Sequence, residues 1–116
     1  MNDAEGSTRV VLRDVRDERG TRYLAARRQE DGSLVIEGHD LGRGVEVLGP
    51  GLSEYEWVWT IAPDAVPSAI EALGGKEGDD PLQLLLGWST DHGGTDPGTH
   101  LREAGVTIAF WSHLGD

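Results

Sequence analysis

Without a cysteine, the side chains best suited to catalysis or metal binding in this 116-residue sequence are four histidines, His39, His92, His100 and His113, and the carboxylates near them. The stretch "TDHGGTDPGTH" is the densest group, offering Asp91, His92, Asp96 and His100. Asp91, His92 and His100 are weak candidates for a metal site, against the plainer reading of Asp96 as a helix cap within a polar loop. In "GHDLGRG" an imidazole and a carboxylate, His39 and Asp40, stand together at a strand end, where a base and its orienting partner could sit. Neighbours in an extended chain point to opposite faces, however, and a simple turn would look the same. Glu54 and Glu56 lie two apart on one face of a strand, about 6 to 7 Å between Cα atoms. Such a pair can divide acid and base roles or hold a hard cation, and a solvated strand face offers the same pattern.

None of the histidines forms HExxH or H-x3-H, and neither G-x-S-x-G, G-x-G-x-x-G nor the phosphate-loop pattern occurs. The missing cysteine excludes thiolate nucleophiles, disulfides and Cys-ligated zinc or iron-sulfur centres. No cofactor is expected.

The elements that must position these groups follow from spacing and turn residues. "TRVVLRDV" reads as a strand, "RDERG" as a turn and "TRYLAARRQ" as a second strand. Asp31-Gly32 is the dipeptide favoured in a type I′ hairpin turn, and "LVIEGHD" follows as the third strand. Gly42, Gly44, Gly49, Gly51 and Pro50 mark a loop. The fourth strand, "EYEWVWTI", sets Tyr55, Trp57, Trp59 and Ile61 on one face; these rings either fill the core beneath helices or form a binding surface.

After Pro63 the period becomes helical. Asp64 and Gly74 bracket one helix, Asp80-Pro81 opens a second containing Leu82, Leu85, Leu86 and Trp88, and Asp96-Pro97 opens a third ending at Gly105. "VTIAFWSHLGD" then returns as a strand. The expected fold is α+β: an antiparallel meander of about four strands, two or three helices packed on one face, and a C-terminal strand. Residues 1–7 read as a disordered tail and residues 8–116 as one domain, because a second core could not be filled at this length.

The formal charge is -11. Residues 1–30 hold seven arginines against six acids, so residues 31–116 carry three bases against fifteen acids, a net of -12. A surface of that sign repels phosphate, which argues against nucleic acid and anionic membranes as partners and favours a basic protein. The opening residues lack the pattern of a signal peptide and no apolar run approaches a membrane span, so a cytoplasmic location is expected.

Together, "LRDVRDERGTRYL", "EGHDLG", "EYEWVWTIAPDAVP" and "FWSHLGD" resemble a family of small uncharacterised actinomycete proteins, a domain of unknown function, over almost the whole chain. The resemblance implies a compact cytoplasmic domain, similar in size and acidity to immunity proteins of bacterial toxin systems. It brings no activity, cofactor or catalytic residue.

These readings converge on a non-enzymatic acidic binding protein that meets a basic partner through Glu37, Asp40, Glu46, Glu54 and Glu56. Two alternatives stay open. One is a small hydrolase, metal-dependent or built on His39 and Asp40 or on Asp91, His92 and His100; the other is a regulatory module binding a small ligand over the tryptophans.

Overall fold

A computed structural model describes residues 8–115. The tail expected over residues 1–7 lies outside the described residues. Strands β1 (Arg9–Asp17), β2 (Gly20–Arg28), β3 (Leu34–Leu41), β4 (Glu54–Ile61) and β5 (Ala109–Gly115) form one antiparallel sheet in chain order. Helices α1 (Val66–Ala72), α2 (Pro81–Asp91) and α3 (Gly98–Glu103) lie between β4 and β5 in sequence. This is the α+β meander with a returning C-terminal strand that the spacing predicts.

The side chains of β4 alternate. Trp57, Trp59 and Ile61 are buried and belong to the main core, together with Leu24, Leu34 and Ile36 from β2 and β3 and Leu82, Leu85 and Leu101 from α2 and α3. The aromatic stripe is therefore core, because helices cover that face of the sheet and the indoles carry the largest apolar area available to bury. α2 packs on β1 and β2, and the start of α3 lies over β4, with Gly98 against the Trp59 ring.

Asp80 caps α2 as its position suggests, its carboxylate accepting from the Leu82 amide at 3.0 Å with Pro81 in the first turn. Asp64 does not cap α1. It sits inside a short 3-10 turn, Pro63–Ala65, and Pro67 in the first turn of α1 lacks the N–H that a cap would satisfy. The β2–β3 connection also differs from a two-residue hairpin. Arg28 pairs with Leu34, and the intervening loop is held by Asp31, whose Oδ1 accepts from both the amide and the hydroxyl of Ser33, at 2.9 and 2.7 Å. The Ser33 hydroxyl and amide hold the Asp31 carboxyl below the usual carboxylate range. The loop between β3 and β4 contains a 3-10 segment, Arg43–Leu48, and β5 begins at Ala109, three residues later than its apolar run suggests. Val106 is instead buried in the core beneath α3.

Candidate functional site on the open sheet face

The side of the sheet away from the helices carries the chemistry. Antiparallel register sets Tyr23 opposite His39, His39 opposite Glu56, and Glu56 opposite His113, a row crossing β2 to β5. Directly opposed residues on one face have Cβ atoms about 5 Å apart, so each member of the row neighbours the next. His39 also reaches diagonally along β4: its Nε2 lies 2.7 Å from Glu54 Oε2, with both side chains about one-third exposed. One ligand atom from each of His39, Glu54 and Glu56 falls within 4.8 Å of the others, the one such group of histidines and acids found among the described residues. A depression of about 230 Å³ lined by Tyr23, Glu37, His39, Glu56 and Val58 adjoins them.

The five acids expected to meet a partner divide between surfaces. Glu54 and Glu56 share the open face with Glu37, which accepts from Arg27 at 3.1 Å. Glu46 is exposed in the 3-10 segment before β4. Asp40 alone turns to the helical side, as its position next to His39 in a strand requires. There its Oδ1 and the Nε of Arg13 are buried without hydrogen-bond partners, and the nearest guanidinium nitrogen of Arg13 is 3.9 Å away. Arg13 donates instead to the Gly94 carbonyl at 3.3 Å.

Burial raises the Asp40 carboxyl above the usual carboxylate range, against the opposing pull of Arg13, Arg22 and His39. The folded chain thus keeps this proton to a higher pH than the unfolded chain does. The group favours folding below its unfolded value of about 4, and that contribution is lost as pH rises through the folded value. Asp40→Asn has nothing to ionise, so its stability relative to the natural chain is expected to increase from about pH 4 towards neutrality, by about 1 kcal/mol or less. Denaturation midpoints of the two proteins across that range check this. A difference that does not change with pH would contradict it.

The histidines of the Thr90–His100 stretch are occupied elsewhere. His92 Nδ1 donates to the Trp88 carbonyl at 2.7 Å and His100 Nε2 donates to the Ala72 carbonyl at 3.0 Å, while both imidazoles stack on the Trp88 ring. Asp91 is exposed at the end of α2. These groups lie on the helical side, so His39 and His92 do not share a pocket. Asp96 has a role that spacing alone does not reveal. Its Oδ2 accepts the indole N–H of both Trp57 and Trp59, at 2.7 and 2.9 Å, and its Oδ1 accepts the Gly98 amide at 2.8 Å.

The two sheet edges differ sharply. β1 carries Arg9, Arg13, Asp14, Arg16 and Asp17, charges of the kind that keep an edge from pairing with another chain. Among the described strands, β5 alone contains no Asp, Glu, Lys or Arg. Every residue from Ala109 to Leu114 is exposed, including Phe110 at 45 %, Trp111 at 54 % and Leu114 at 44 %. Its partner within the described sheet is β4, which leaves the other side of its backbone open.

No helix among the described residues is long and apolar enough to cross a membrane. The chain matches no known protein family, no curated protein and no solved structure.

Proposed function

We propose that this domain is a non-enzymatic acidic binding protein that receives an extended segment of a basic protein along the outer edge of β5. The observation that carries this reading is the contrast between the edges: β1 is charged, whereas β5 presents unpaired backbone with Phe110, Trp111 and Leu114 uncovered. An added strand gains main-chain hydrogen bonds, and the apolar side chains of β5 supply contact area. Glu54 and Glu56, one strand inward, and the net charge of -11 favour lysine and arginine on the incoming chain. The same charge sets two copies of this chain against each other. A partner of this kind would be a secreted nuclease toxin, which needs basic surface to hold nucleic acid, with this domain as its immunity protein.

Affinity capture from lysate at about 50 mM and about 500 mM salt, with the natural chain and two variants, tests the reading. Because exposed charge attraction is screened over about 3 to 4 Å at the higher salt, a basic protein held at low salt is expected to be released there. Trp111→Lys and the double variant Glu54→Lys, Glu56→Lys are each expected to cut its retention at least tenfold. Capture of the same basic protein by all three chains would defeat the assignment to this surface, and an absence of any basic partner would defeat the function.

A further inference from the structure

We infer that His39, Glu54, Glu56 and His113 form a binding site for a first-row divalent transition-metal ion, zinc being the natural occupant. Two separate placements point to these four side chains: three already converge, and the fourth stands next to them in register. First, His39, Glu54 and Glu56 already present ligand atoms within 4.8 Å of one another, with His39 and Glu54 in contact at 2.7 Å. Second, His113 stands on the far side of Glu56 from His39, in direct register and on the same face. Its ring leans along β5 towards Glu54: a Cβ built on Gly115 would lie 3.4 Å from His113 Cε1 and 3.2 Å from Glu54 Oε1, so one small volume borders both groups.

The ligand types select the ion. Two imidazoles with two carboxylates suit zinc, and after it cobalt, manganese or iron, whereas calcium and magnesium prefer oxygen alone and copper(I) prefers sulfur. Four-coordinate zinc holds its ligands about 2.0 to 2.2 Å from the metal, which sets neighbouring ligand atoms roughly 3.3 Å apart. His39 and Glu54 need to open slightly, and Glu56 and His113 to close in, movements within the reach of side-chain rotation on a fixed sheet. Three strands supply the ligands, so the backbone ladder pre-sets their spacing. The neighbouring Trp111 runs nearly parallel to the His113 ring, 6.3 Å between centroids and 8° between planes, and places a fluorophore beside the site.

Titration with zinc alone, read by calorimetry, is expected to show one ion bound per chain, with affinity reduced at least tenfold in each of His39→Ala, Glu56→Gln and His113→Ala. Cobalt supplies a second readout: with no cysteine in the chain, visible bands of four-coordinate intensity report nitrogen and oxygen ligands, and the ion is expected to quench Trp111. Circular dichroism of each variant separates a lost ligand from a lost fold. His92→Ala is expected to bind zinc like the natural chain. The inference is overturned if the natural chain takes up no stoichiometric zinc below about 1 mM, if His39→Ala binds as tightly as the natural chain, or if His92→Ala and not His39→Ala abolishes binding. The site does not depend on partner docking at β5, and with metal as the only ligand its test stands whether or not the docking reading survives.

Discussion

Asp96→Ala is expected to destabilise the domain by about 3 to 5 kcal/mol. The carboxylate satisfies three donors at once, the indole N–H groups of Trp57 and Trp59 and the amide of Gly98. Hydrogen bonds to a charged acceptor contribute about 1.5 to 3 kcal/mol each, and a buried donor left without a partner costs about 1 to 3 kcal/mol. Both indoles are more than nine-tenths buried, so water has little access to replace the lost oxygen. The same carboxylate ties the start of α3 to the middle of β4, and its removal loosens a helix of six residues that has little stability of its own. Asp96→Asn keeps one oxygen for the indoles but turns an amide NH2 towards another donor, and should fall between the alanine variant and the natural chain. Denaturant titrations followed by tryptophan fluorescence measure both. In a domain of this size 1 kcal/mol moves Tm by about 4 °C, so the alanine variant should melt well over 10 °C early. A loss below 1 kcal/mol would mean that the two indoles do not depend on this carboxylate.

What the sequence discloses and what it withholds divide along the range of the interactions involved. Period-two alternation is local, and it places Trp57 and Trp59 on one face and Glu54 and Glu56 on the other before any tertiary contact is known. The placement of His39 and Asp40 on opposite faces follows from the same rule. Capping is nearly as local, which is why Asp80-Pro81 is legible; Asp64 misleads because Pro63 and Pro67 impose a 3-10 turn on the same residues. The approach of His39 to Glu54 depends on strand register across a loop of twelve residues, 42 to 53, and nothing in the glycine-rich loop states that register. Asp96 reaches indoles 37 and 39 residues away, and a cap is all that its neighbours in the chain suggest. The exposure of β5 is not legible in its own residues. An apolar strand normally signals burial, and here the helical cover reaches β4, where Gly98 of α3 lies against the Trp59 ring, and leaves β5 exposed.

Gly38→Ala and Trp57→Ala are each expected to destabilise the domain by about 3 kcal/mol or more, and the two losses should not add. Gly38 on β3 is the register partner of Trp57, and the indole lies flat against the glycine: an added Cβ would sit 2.0 Å from Trp57 Cζ2 and 2.2 Å from Cε2. Both backbones belong to central strands of the sheet and cannot separate without breaking ladder hydrogen bonds. The ring has no easy escape either, since Tyr55 stacks on it at 4.9 Å and Asp96 holds its N–H. Overpacking of this kind typically costs about 1 to 3 kcal/mol, and a rigid neighbour on every side places this case at the upper end or beyond. Truncating Trp57 removes a large buried side chain and costs about 3 to 5 kcal/mol. In the Trp57→Ala background the new methyl has no ring to strike and enters space the indole has left, so Gly38→Ala should then cost less than about 1 kcal/mol. The coupling energy of the double-mutant cycle should therefore exceed 2 kcal/mol in favour of the double variant. Additive losses would show that Gly38 is needed for its own backbone conformation and not as the seat of the indole.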